Sequence, residues 1–118
     1  MIVAGFGFRA EATADSLADA LAQTGATPDA LATLADKAPT PASLASRLSL
    51  RLHAVPQGVA TAIQTRTDSP ASRTHRATGS VAEATALAAA GPGARLLIPR
   101  TISTDRMATC AIAEGPDA

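Results

Sequence analysis

The chain has 118 residues, with ten basic and ten acidic side chains and a formal net charge of zero. That length suits one domain rather than two, and the balanced charge leaves no electrostatic footprint for nucleic acid. Phe6 and Phe8 are the only aromatic residues, which also argues against recognition by base stacking. The apolar share of 47% against 17% charged residues predicts a folded core rather than a disordered chain. Alanine makes up about a quarter of the sequence. Such small side chains make a thin core and let elements approach closely. The single cysteine, Cys110, excludes an internal disulfide framework and a cysteine-rich zinc site. No apolar run reaches the length of a membrane-spanning helix. The apolar start lacks a basic leader and runs into Arg9 and Glu11. The expectation is a single cytoplasmic domain over residues 1–118, with no membrane, metal or cofactor.

In chain order, Ile2 to Phe8 is a short bounded apolar run, as a buried strand requires. Glu11 to Thr24 follows with Ala14, Leu17 and Leu21 on one face and Gly25 just past the end, an amphipathic helix with a glycine stop. Thr27 to Ala38 is open to two readings. Thr27-Pro28-Asp29 resembles a helix start, yet Leu31 to Leu34 could equally be a strand leading to a polar loop at Asp36-Lys37. Thr40-Pro41 reads as a helix N-cap with proline at the first helical position, and Leu44 and Leu48 then share a face. Arg51 to Val55 is a candidate strand closed by Pro56. Gln64 to Thr78 has no periodicity and carries Arg66, Arg73 and Arg76 against Asp68, the pattern of a polar surface loop. Ser80-Val81-Ala82-Glu83 has capping-box spacing and opens a helix to Ala90, stopped by Gly91-Pro92. Arg95 to Ser103 and Arg106 to Ala113 flank Thr104-Asp105 as a terminal hairpin. Alternating strand and helix signals predict an α/β fold: one three-layer sandwich with a mixed, mostly parallel sheet and a C-terminal β-hairpin.

Open α/β sheets bind ligands at the carboxyl ends of their strands, often against helix N-termini. Three segments fit. Gly5-Phe6-Gly7-Phe8-Arg9 joins a strand to a helix; its glycines allow close approach, and Arg9 offers a bidentate anion fork. The third glycine of a dinucleotide fingerprint is missing, and the plainer reading is a tight turn. Thr78, Gly79 and Ser80 precede a helix whose free amides suit a carboxylate or phosphate, the plainer reading being an ordinary cap. Asp36 and Lys37 form the third segment, with Lys37 the only lysine beside nine arginines. A solvated surface lysine is its plainer reading. His53 and His75 lack partners at metal-ligand spacing, and Cys110 reads as an inert core thiol. The residues alone lead to an α/β domain with a glycine-lined basic anion site, and leave a nucleotide- or phosphate-binding module open.

Read together, these segments carry a resemblance. Gly5-Phe6-Gly7-Phe8-Arg9, Leu31-Ala32-Thr33-Leu34-Ala35-Asp36-Lys37-Ala38, Thr78-Gly79-Ser80-Val81-Ala82-Glu83-Ala84 and Pro99-Arg100-Thr101-Ile102-Ser103 occur in that order, closed by Arg106-Met107-Ala108-Thr109-Cys110-Ala111. The ordered set resembles the cobalamin-biosynthesis family of CobE and the C-terminal domain of CbiG over nearly the whole chain. The resemblance implies a three-layer α/β domain acting in construction of the corrin ring. It implies that Leu31 to Ala35 is a strand and that Lys37 lies in the loop after it. The implied partner is a corrinoid or precorrin intermediate, with other enzymes of the pathway as further partners. The expected ligand set is Gly5, Gly7, Arg9, Asp36, Lys37, Thr78, Gly79, Ser80 and Arg100, which would hold the carboxylate arms. Two roles follow. One is an accessory or carrier protein that binds the intermediate. The other is a hydrolase-like enzyme acting on a precorrin lactone, with Lys37 or Glu83 in acid–base work. The larger N-terminal part of CbiG has no counterpart here, so its hydrolytic activity does not carry over.

Overall fold

The computed structural model describes residues 1–63 and 80–116. Five strands form one sheet: β1 (Ile2–Phe8), β2 (Ala30–Leu34), β3 (Arg51–Val55), β4 (Arg95–Ile102) and β5 (Ala108–Glu114), in the spatial order β3-β2-β1-β5-β4. β1 pairs in parallel with β2, and β2 with β3. β5 runs antiparallel to β1 and to β4. The expected mixed sheet and terminal hairpin are both present. Helices α1 (Ala14–Thr24) and α2 (Pro39–Leu48) pack on one face, α3 (Gln57–Thr61) and α4 (Val81–Ala90) on the other.

The two faces are packed by different means. Alternation along β1 sends Ala4 and Phe6 to the first face and Val3 to the second. The first core joins Phe6, Leu31, Cys110 and Ile112 of the sheet to Leu17 and Leu44 of the helices. Each of these larger side chains stabilises the fold by about 1.5–3 kcal/mol on burial. The second core is built from Val3, Ala32, Leu34, Val55 and Ala113 against Ala60, Ala84, Ala86 and Ala90. Here the alanine content does its work: α4 lies close on the sheet. A Cβ at Gly5 would stand 2.2 Å from the Ala82 carbonyl oxygen and 2.5 Å from the Ala86 nitrogen. Glycine is therefore required at position 5 by the helix above it.

The stretch with two readings is a strand. Every residue of β2 is buried, and it pairs on both edges, so sheet burial overrides the local helix-like signals. It ends at Leu34, one residue earlier than expected, because Ala35–Lys37 turns into a single 3₁₀ turn. Two helix starts also shift. α1 starts at Ala14 rather than Glu11: Thr13 accepts the Ser16 amide, and Ser16 Oγ accepts the Thr13 amide in return. Gly25 closes this helix in the left-handed conformation at φ 71°. Thr40 is not an N-cap. The 3₁₀ turn runs straight into α2, which begins at Pro39 after Ala38, so Pro41 lies within the first turn, where a missing N–H costs nothing. The short helix α3 carries no signal that the sequence reading used.

Candidate functional site

β1, β2 and β4 end on the same side of the sheet, and the N-terminus of α4 lies there too. From Phe8, the backbone enters the Arg9–Thr13 segment, and the Arg9 amide donates to the Met107 carbonyl at 2.9 Å. From Leu34, the 3₁₀ turn carries Asp36 and Lys37 back towards β1. Lys37 Nζ donates to the Phe8 carbonyl oxygen at 3.1 Å and sits 4.6 Å from the centre of the Phe8 ring. A hydrogen bond and a cation–π contact thus hold the ammonium at the strand end.

Gly7 continues the cluster towards α4. A Cβ there would meet Val81 Cβ at 3.2 Å and Thr109 Oγ1 at 3.1 Å. Ser80, buried, caps the helix by accepting the Glu83 amide at 3.2 Å. Glu83 is fully buried in the first turn, and its Oε2 accepts the Arg100 amide of β4 at 2.8 Å. Lys37, Phe8, Gly7, Ser80, Glu83 and Arg100 therefore form one continuous arc across the strand ends. Arg9 and Asp36 are exposed beside it. Among the described residues the ion pairs are Arg47–Asp15 and Arg95–Glu114, both elsewhere, so Arg9, Lys37 and Arg100 carry cations without an acidic partner.

Gly5 does not reach this arc. It is buried three residues before the strand end at Phe8, under α4, and its missing side chain admits the helix backbone. Thr78, Gly79 and the expected loop from Gln64 to Thr78 lie outside the described residues. His53 sits on β3 opposite Ala32, and Cys110 is a fully buried strand residue opposite Phe6. Among the described residues no group of His, Cys, Asp and Glu could hold a metal ion. No helix is long and apolar enough to cross a membrane.

The sequence reading missed two features. Phe8 is the ring under Lys37; an aromatic at a strand end, one of only two in the chain, was the available signal. The second is the turn of the β4–β5 hairpin. Asp105 Oδ1 accepts from Ser103 Oγ at 2.5 Å and from the Met107 amide at 3.0 Å, while Oδ2 accepts from Ser16 Oγ at 2.7 Å. Asp19 accepts the Thr104 amide. These two carboxylates latch the hairpin turn onto α1. The Ser103 and Ser16 hydroxyls hold the Asp105 carboxyl below the usual carboxylate range, and the Thr104 amide does the same for Asp19. No short motif announces such a contact, because its partners are about ninety residues apart.

An open groove of about 300 Å³ lies at the opposite end of the sheet, lined by Leu21, Ala26, Thr27, Pro28, Leu48 and Leu50. None of the candidate residues borders it.

The fold is that of a small three-layer α/β protein with a half-parallel sheet, whose strand ends carry cations that have no acidic partner among the described residues, beside a capped helix N-terminus. Residues 2–113 match the family model for the cobalamin synthesis G C-terminus, and the chain belongs to that family. It is a protein of cobalamin biosynthesis. Among solved structures it is similar to CobE, a protein from the cobalamin (vitamin B12) biosynthetic pathway, with a TM-score of 0.81 and 29% identity over 96% of this chain and 89% of that one. It is similar to the cobalamin biosynthesis protein chiG from Agrobacterium tumefaciens str. C58, with a TM-score of 0.75 and 37% identity over 99% of this chain and 100% of that one. A cobalamin biosynthesis protein G homolog from Sulfolobus solfataricus shares the fold, with a TM-score of 0.71 and 19% identity over 95% of this chain and 36% of that longer one. A search of the curated proteins gives no match.

Proposed function

We propose that this protein binds a corrin-ring intermediate through its carboxylate arms, in the cytoplasm, as an accessory or carrier protein of the pathway. The observation that carries the reading is the arc from Lys37 to Arg100. It puts cations that have no acidic partner among the described residues, and the first turn of α4, at the strand ends where open α/β sheets bind ligands. Corrin intermediates present several carboxylates around a broad apolar ring. Arginine and lysine suit the arms, and Phe8 and Val81 offer apolar surface beside them. A carrier role further implies hand-over to another enzyme of the pathway. In this reading Gly7, Arg9, Asp36, Lys37, Ser80 and Arg100 belong to the site, with Thr78 and Gly79 preceding it in the chain. Gly5 acts only through helix packing.

The test is an absorption titration with dicyanocobyrinic acid, a corrin whose arms are free carboxylates, and with its fully esterified counterpart. Saturable band shifts with the acid and a much weaker response to the ester are expected, with the corrin recovered unchanged. No shift with the acid, or equal binding of the ester, overturns the reading. Conversion of a precorrin lactone in the same mixture would instead favour the hydrolase-like role. Competition by inorganic phosphate or a nucleotide alone would favour a phosphate-binding module.

A further inference from the structure

We infer that Glu83 is a positioning residue: its buried carboxylate fixes the backbone at Arg100 and so sets where that guanidinium meets the ligand. The inference rests on the reading above and deepens it at one side of the same site.

Three observations converge on this role. First, β4 is an edge strand whose pairing with β5 breaks just here. Ile98 pairs with Ile112 and Thr101 with Cys110, so three steps along β4 match two along β5, and the Pro99-Arg100 pair sits opposite Ala111. Such a bulge re-aims a side chain, but it also takes backbone groups out of the ladder. Pro99 has no N–H to offer. Second, the N–H of Arg100 does not go to water: it donates to Glu83 Oε2 at 2.8 Å. Third, Glu83 is itself held. It is fully buried in the first turn of α4, and Ser80 Oγ receives its amide. A carboxylate is costly to bury without hydrogen-bond donors, and the favourable end of the helix dipole offsets part of that cost. The helix cap, the carboxylate and the bulge thus form one rigid link from α4 to Arg100, whose side chain remains half-buried at the strand ends.

This geometry separates two roles for Glu83. As an acid or base it would need its proton-exchanging oxygen open to substrate. As a positioning group it needs only an acceptor oxygen at the Arg100 amide. Gln supplies that oxygen without the acid–base chemistry, Ala supplies neither, and Asp draws the carboxylate back by one methylene.

The experiment is a double-mutant cycle read by dicyanocobyrinic acid titration, with the affinity taken per folded protein from circular dichroism. E83A and R100A are each expected to weaken binding about tenfold, the scale of one charge-assisted contact. The double variant should be no weaker than R100A alone, because both changes remove the same contact. E83Q should bind within about twofold of the unaltered protein, since the acceptor is kept. If E83A does not fold, E83D takes its place in the cycle. Additive losses in the cycle, or a folded E83Q that loses binding as R100A does, overturn the positioning role while leaving the corrinoid reading intact. Failure of the unaltered protein to bind the corrin at all overturns both, and is told apart by the first titration.

Discussion

The Cβ that Gly5 lacks would stand 2.2 Å from the carbonyl oxygen of Ala82, closer than any side chain can sit. Neither partner can give way cheaply, since one is a central strand and the other the backbone of a buried helix. Gly5→Ala is expected to destabilise the fold by about 1–3 kcal/mol, the cost of overpacking a filled core. Gly58, with nothing within 4 Å of its Cβ position, is the contrasting site. Gly58→Ala should stabilise by about 0.4–1 kcal/mol through the unfolded chain. Urea unfolding of the two variants measures both signs; a neutral Gly5→Ala would show that α4 can lift from the sheet.

Lys37 connects stability to binding. Lys37→Ala removes the bond to the Phe8 carbonyl and the contact with its ring. The expected stability loss is about 1 kcal/mol, because the ammonium is only partly desolvated. Corrinoid affinity should fall by about 1–3 kcal/mol, the range for a charge-assisted bond. Thermal melts and titration on one sample measure both quantities. Unchanged affinity in the variant would remove Lys37 from the site.

The hairpin latch predicts a pH dependence. Hydrogen bonds hold the carboxyls of Asp105 and Asp19 below their ordinary values in the folded protein. The unfolded chain then binds protons more readily than the folded one. The stabilisation is complete above the unfolded value, near about 4, and is lost as the pH falls through the lower folded values. These two groups therefore leave the melting temperature level from neutral pH to about 5 and lower it below about 4. Asp105→Asn should flatten that fall and speed hydrogen exchange at the Met107 amide. An acid profile identical to that of the unaltered protein would show that the latch contributes nothing.

Cys110 should be silent to thiol reagents. Burial among Phe6 and its neighbours pushes the thiol far above the usual cysteine range. Ellman's reagent is expected to find no thiol in the folded protein and one after denaturation in guanidinium. Rapid reaction under native conditions would mean that the first core opens locally.

The sequence by itself determined the elements whose signals are local. The apolar run at Ile2–Phe8, the glycine stop at Gly25, the Ser80 cap and the Thr104-Asp105 turn each depend on neighbours within a few residues, and each stands where the residues placed it. Arg9, Lys37 and Ser80 could be named as candidates because loop cations and capped helix starts are legible from residue type, whereas Arg100, a residue of β4, entered only through the family resemblance. Tertiary structure decided what the local signals left open. Ala30–Leu34 is a strand because two neighbouring strands and both helical layers cover it, which no propensity can report. Gly5 left the candidate site for the same reason: only the position of α4 shows that its bare backbone faces a helix. Glu83 and Asp105 took on their partners across 17 and 89 residues of chain. Contacts over such separations exist only after the sheet has formed, so their physics lies in the packed layers and not in the order of the letters.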